Sequence, residues 1–264
     1  MADADSLREA GLPDRLPSLP PPGGAGSTPT AGGDTVMSLV DHLGELRTRI
    51  FKSLLAVGIG SAIGFILSPQ VRRLLIEPLP SHQVQALGPG DAFAISLRIS
   101  IVIGIILAMP VLLYQLWAFI APGLTIAERR AIRPWIPLAL AFFAIGVTIA
   151  WVVLPFAMAF LLGFTDQYIT GDRLAAGPYF DFVTTLFLAF GLLMEFPIVL
   201  YGLSRVGIVT SARMAASRRI AILAIAIFAA VATPGGDLVS PTVLGLTMYL
   251  LFELTLLAIR RSGR

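Results

Sequence analysis

The chain has 264 residues, 56% of them hydrophobic and only 13% charged, with a mean hydropathy of +0.84. A water-soluble globular domain carries about a quarter charged residues, so this composition specifies a polytopic membrane protein. Its basic residues, 18 Arg and the single Lys52, exceed the 16 acids by only +3, which does not indicate nucleic acid, and the lack of cysteine excludes disulfides, thiolate metal sites and cysteine nucleophiles.

In chain order, residues 1–36 come first. Six Pro and six Gly fall within the first 35 residues, and no apolar run is long enough for a signal-peptide core. That predicts an uncleaved, disordered polar tail. Met37 opens the first patterned stretch, MSLVDHLGELRTRI, so the tail is either dispensable or lies upstream of the true start. Leu39, Leu43, Leu46 and Ile50 share one helical face while Asp41, Glu45 and Thr48 lie on others, predicting an amphipathic helix at the inner membrane surface.

A helix needs about 20 residues to cross the hydrocarbon core. Six candidate spans follow, at residues 50–67, 93–121, 135–162, 179–203, 219–232 and 239–259. The second and third contain Pro110 and Pro155, which predicts tilting or kinking. The fifth has 14 residues, and either thins the bilayer locally or is completed by the uncharged TPGG turn from Thr233.

Assigning the connections alternately to two sides puts 13 basic residues on one (Arg47, Arg49, Lys52 and the Arg of later connections) and four on the other: Arg72, Arg73, Arg98 and Arg173. Basic excess in short loops marks the cytoplasm, so both termini are expected inside. The longest outer loop, 68–92, has 25 residues, leaving no room for a soluble domain.

The polar residues in or near the spans are the candidates for function. Glu45 has a bland reading as an i,i+4 partner of Arg49 or a neighbour of His42. Pro122 and Gly123 stop the second span, and Thr125 with Glu128 fits the S/T-x-x-E capping box that opens the third. Two readings of Glu128 stand at this point: a cap, or an acid beside Arg129 and Arg130 that receives a cationic ligand. Glu195, in FGLLMEFPIVL, and Glu253, in YLLFELTLLAIRR, lie within spans, where a carboxylate costs about 2.5 to 3.5 kcal/mol unless it finds a partner, a proton or a wet cavity. Glu253 is expected to reach toward Arg260 on its own helix. Glu195 has no basic residue within two turns and is read as functional, with the Pro197 ring freeing the Leu193 carbonyl beside it.

Ala56, Gly60, Gly64 and Ser68 form a small-residue stripe suited to close helix packing within the chain. Asp91 and Asp181 are expected to cap the second and fourth spans. Asp237, in TPGGDLVSP, has no comparable structural task, loop acids being usually just solvated. His42 and His82 are too few for a metal site, and no metal or cofactor is expected.

The strings DHLGELRTRI, LLYQLWAFIAPGL followed by ERR, FGLLMEFP, TPGGD and LFEL, in this order over residues 37–261, together resemble the TatC family, the multi-spanning receptor component of the twin-arginine protein translocase. The Pro/Gly-rich tail and the end at 262–264 fall outside the pattern. The resemblance implies an all-α, six-span bundle, concave and glove-like, with both termini cytoplasmic in the inner membrane of a prokaryote. It implies a machine driven by the proton motive force that exports folded proteins bearing twin-arginine signal peptides, with TatA-like and TatB-like single-span subunits docking near the last two spans and self-association in a multisubunit complex. The family's signal-recognition glutamates match Glu45 and Glu128, with Arg47 and Phe119 in the same motifs. Its buried glutamate matches Glu195 and its short-loop aspartate Asp237; Glu253 is a further candidate.

Two other classes compete. Gly202, Leu203 and Ser204 begin a G-x-S-x-G turn, but Val206 stands for the final Gly and no histidine follows His82, so a serine protease is excluded and no enzymatic activity is expected. A proton-coupled secondary transporter or channel also carries intramembrane acids, but such carriers usually show repeated halves, and the first and last three spans share no spacing of Pro, Gly or charge.

Overall fold

The computed structural model describes residues 39–79, 83–165, 174–205, 207, 209–233 and 236–261. The tail 1–36, the end at 262–264, His82, Arg173, Val206 and part of the TPGG turn, all invoked above, lie outside the described residues. In chain order the elements are α1 (Leu39–Ile76), β1 (Val84–Gln85), α2 (Asp91–Ile120), a 3-10 turn (Ala121–Gly123), α3 (Ile126–Ile132), α4 (Trp135–Leu162), β2 (Leu174–Ala175), α5 (Ala176–Leu193), α6 (Phe196–Arg205), α7 (Ser211–Ala216), α8 (Arg218–Ala232) and α9 (Val239–Arg261). The fold is all-α apart from a two-residue parallel ladder, in which Val84 pairs with Leu174 and Gln85 with Ala175. Among the described residues five helical stretches are long and apolar enough to cross a membrane: 41–76, 91–123, 128–162, 176–204 and 239–261. The chain is a multi-pass membrane protein.

The surface helix and first span expected as separate pieces are one helix of 38 residues. Nothing between Leu46 and Ile50 breaks it, and the Thr48 hydroxyl donates back to the Gly44 carbonyl at 3.1 Å instead of competing with the helix. Pro69 lacks the N–H that would bond the Phe65 carbonyl, but the Ser68 hydroxyl supplies a donor to that oxygen at 3.0 Å, and the helix runs on to Ile76. The loop expected at 68–92 therefore shrinks to 77–90.

The expected span 179–203 is two helices. Pro197 cannot donate to the Leu193 carbonyl, so α5 stops at Leu193, Met194 and Glu195 form a turn, and α6 restarts with Pro197 as its second residue. The fifth apolar segment, α8, has 15 residues, about 22 Å against a hydrocarbon core of about 30 Å, and is as short as the sequence led one to expect.

Helices α1 and α2 form an antiparallel hairpin along the small-residue stripe. A Cβ at Gly60 would stand 2.7 Å from the Gly104 carbonyl oxygen, and one at Gly64 2.6 Å from that of Ser100, so backbone meets backbone here and no larger residue fits. The core is centred where α4, α5 and α9 pack together around Leu154, Val183, Leu186, Phe190, Leu244 and Leu256, and it takes in Leu75 of α1 and Ile95 and Ile99 of α2. On α1, by contrast, Phe51, Leu54 and Ile66 are 69%, 64% and 74% exposed, a face suited to lipid.

The end of the bundle farthest from Glu45 is tied by polar contacts. The Tyr179 hydroxyl donates to the Leu75 carbonyl, and Arg98 on α2 pairs with Asp181 on α5. Neither aspartate is the helix cap expected. Asp181 lies inside α5, where its carboxylate serves Arg98. Asp91 is the first residue of α2, and its Oδ2 accepts the N–H groups of Leu87 and Gly88 at 2.7 and 2.8 Å, closing the loop before the helix.

Candidate functional site

At the start of α1, Glu45 Oε1 accepts both Arg49 Nη2 at 2.9 Å and Arg49 Nε at 3.3 Å, the i,i+4 pair open from sequence. Arg49 Nη1 also donates to Gln115 Oε1 on α2 at 3.1 Å, and Gln115 is only 8% exposed. Glu45, Arg49 and Gln115 thus join the two helices in one polar chain. The other carboxylate oxygen, Glu45 Oε2, is buried with no hydrogen-bond partner among the described residues. A buried anionic oxygen without a donor is costly, and a guanidinium arriving there would satisfy it.

One turn earlier, the His42 ring stacks on Phe119, centroids 4.4 Å apart and planes 14° from parallel. This contact sets Phe119, near the end of α2, beside the acidic turn of α1. Arg47 is exposed on the same helix.

The capping box is present. Glu128 N–H donates to Thr125 Oγ1 at 3.3 Å, and Glu128 Oε2 accepts from the Thr125 N–H and hydroxyl at 3.0 and 2.9 Å. Arg129 folds back to donate to the Ala121 carbonyl at 2.7 Å, which pins α3 to the 3-10 turn. Arg130 and Arg133 remain exposed. Glu45 and Glu128 therefore stand on separate elements linked by the end of α2.

Beside this region lies an apolar cleft of about 380 Å³, walled by Leu113, Trp117 and Ile120 of α2, Trp135 of α4, and Ile198 and Val199 of α6. Trp135 stacks on Tyr201, centroids 3.6 Å apart, which joins α4 to α6. Trp117 Nε1 is buried without an acceptor among the described residues.

The remaining candidates lie away from this cluster. Glu195 occupies the turn between α5 and α6; its carbonyl accepts Ile198 and Val199 N–H at 3.0 and 3.2 Å, while Oε1 of its side chain is buried and has no partner among the described residues. Glu253 corrects the expectation that Arg260 of its own helix is its basic partner. Its Oε2 accepts Arg218 Nη2 from the start of α8 at 2.8 Å, and its Oε1 accepts the Tyr249 hydroxyl at 3.3 Å. An aligned partner across the hairpin is nearer than Arg260, nearly two turns along. Asp237 corrects the expectation of a solvated loop acid. It is 3% exposed, and its Oδ1 accepts the Ser240 N–H at 2.6 Å, capping α9, while Oδ2 and the Ser240 hydroxyl are buried without partners among the described residues.

Sequence reasoning passed over Gln115 and Trp117 as participants and Arg218 as the partner of Glu253. The first left a signal, an amide inside the apolar run LLYQLW. The third left none, since its partner is 35 residues away.

The family profile described as "Sec-independent protein translocase protein (TatC)" matches residues 41–246. A Carboxydothermus hydrogenoformans protein named Sec-independent protein translocase protein TatC is 34% identical over 226 residues, which cover 84% of this chain and 93% of that one. The protein of that name from Aquifex aeolicus is 36% identical over 227 residues, with 83% and 93% covered. A solved structure called the twin arginine translocase receptor TatC superposes with a TM-score of 0.72 at 34% identity, covering 84% of this chain and all of that one. The chain belongs to the TatC family.

Proposed function

We propose that this protein is the signal-peptide receptor and core subunit of a translocase that exports folded proteins bearing twin-arginine signal peptides at the expense of the proton motive force. Glu45 and Glu128 each take one of the paired arginines, Arg47 and Phe119 complete that surface, and the signal's apolar segment lies against the cleft beside it. The observation that carries this reading is the buried, unpartnered Oε2 of Glu45. A guanidinium is always charged and binds a carboxylate through two parallel hydrogen bonds, so it meets the need of that oxygen better than a lysine would. Glu195 is the polar site in the membrane, where it meets a partner's helix or water. Asp237 and Glu253 belong to the α8–α9 region, proposed as the docking side for the TatA-like and TatB-like subunits. Residues 37–261 are the working membrane unit, preceded by a Pro/Gly-rich cytoplasmic tail at 1–36. Both termini face the cytoplasm, and the membrane is the inner membrane of a prokaryote. A proton-coupled carrier is not favoured, because the relatives sharing most of this chain are named as translocase components.

The deciding experiment is site-specific crosslinking in membranes between a twin-arginine signal peptide and a photoreactive residue at position 45 or 128. Adducts that vanish when the signal's arginines become lysines support the reading. Adducts indifferent to that change would overturn it.

A further inference from the structure

Arg72 and Arg73, near the end of α1, have no part in the contacts described so far. They line a cavity of about 350 Å³ walled otherwise by Ile76 of α1, Val84 of β1, Ile95 of α2 and Phe180 of α5. This is the arginine-poor end of the bundle. The other described basic residue there, Arg98, is paired with Asp181. Neither Arg72 nor Arg73 makes an ion pair or side-chain hydrogen bond with a described residue. Glu77, four residues beyond Arg73, makes no ion pair with it, and Asp91 directs Oδ2 at the Leu87 and Gly88 N–H groups. Among the described residues no Asp or Glu lines the cavity.

Two guanidiniums facing an apolar-walled cavity with no carboxylate call for an anion that also brings apolar substance. The surroundings supply the rest of the fit. Ile66, Leu74 and Phe93, on the adjoining parts of α1 and α2, are 74%, 47% and 65% exposed, a lipid-facing surface leading away from the cavity. The ladder between β1 and β2 and the Tyr179 bond to Leu75 hold the walls together, so the cavity is built into the fold.

We propose that this cavity binds the headgroup of an anionic phospholipid, with Arg72 and Arg73 on the phosphodiester and the acyl chains along the exposed face of α1 and α2. A lipid carrying a compensating ammonium fits less well, because the described lining offers that ammonium no acid. The site is independent of the signal-peptide reading, since it lies at the other end of α1 from Glu45.

The test is native mass spectrometry of the full-length protein released from neutral detergent after equilibration with phosphatidylglycerol or phosphatidylcholine. The wild type should retain phosphatidylglycerol preferentially, and each arginine replaced by glutamine should lower retention about fivefold. Arg72→Lys/Arg73→Lys should keep most of it, and Arg260→Gln/Arg261→Gln, at the opposite end, should change nothing. Excess inorganic phosphate should not displace the lipid. Equal retention of the two lipids, or undiminished retention in both Arg73→Gln and the double glutamine variant, overturns the proposal. So does full displacement by phosphate, which marks a free-anion site. Should the double variant fold poorly, as judged by its unfolding midpoint, Arg73→Gln alone against Arg73→Lys decides the matter.

Discussion

Arg218 and Glu253 meet across the α8–α9 hairpin, Nη2 to Oε2 at 2.8 Å. Their side chains are 44% and 28% exposed, so solvent screens much of the attraction. A double-mutant cycle with Arg218→Ala and Glu253→Ala, read by thermal unfolding in detergent, should give a coupling of about 0.5 kcal/mol. A coupling of zero would mean that the pair forms no working link between the two helices.

Charge, not shape, should govern recognition at the other end. Glu45→Gln and Glu128→Gln keep size and hydrogen-bonding capacity, and the latter keeps an acceptor for the Thr125 cap. Each should weaken binding of a twin-arginine signal peptide by about 1.5 to 3 kcal/mol, the loss expected for a charged hydrogen bond. Isothermal titration with purified variants of normal stability checks this; unchanged affinity in both would sink the assignment.

The α1–α2 seam separates two glycines of the same helix, one on the small-residue stripe and one off it. A Cβ at Gly60 collides with the Gly104 carbonyl, whereas one at Gly58 meets nothing within 4 Å. Gly60→Ala should destabilise the protein by about 1 to 3 kcal/mol, the usual range for overpacking. Gly58→Ala should stay within about 0.5 kcal/mol of wild type or gain slightly from helix propensity. Reversal of that order in thermal unfolding would contradict the packing described.

Glu195→Gln should be tolerated far better than Glu195→Leu, because the amide keeps a polar group at the turn between α5 and α6 while leucine removes it. Export and assembly with a single-span partner should fail mainly for leucine, and signal-peptide binding should survive both changes. Wild-type export by Glu195→Leu would leave this acid without a function.

Since the chain has no cysteine, single cysteines report orientation cleanly. Gln85→Cys, between α1 and α2, should react with a membrane-impermeant maleimide added to intact cells, and Arg213→Cys on α7 should not. Labelling of the second without the first would invert the orientation proposed.

What was legible in the sequence was whatever depends on neighbours along the chain. The third span, 135–162, coincides with α4, and the Thr125 to Glu128 cap and the small-residue stripe are where their spacing placed them. Misreadings arose where distant groups decide. Asp237 is buried only because α9 packs into the core, and Glu253 turns to Arg218 only because α8 folds back on α9. The continuity of α1 rests on a detail no periodicity contains, a serine hydroxyl standing in for the N–H that Pro69 lacks. At the candidate site, the acids were visible as residue types in apolar surroundings, but the orphaned oxygen of Glu45 required knowing where Arg49 and Gln115 lie.

That repair beside Pro69 has a mechanical side. A helix of 38 residues is about 57 Å long, nearly twice the thickness of a hydrocarbon core. With no break along it, α1 acts as a lever: a swing of about 5° about one end carries the other through about 5 Å. Glu45 and Arg72 ride on the same unbroken helix, so any displacement of its axis is shared by both.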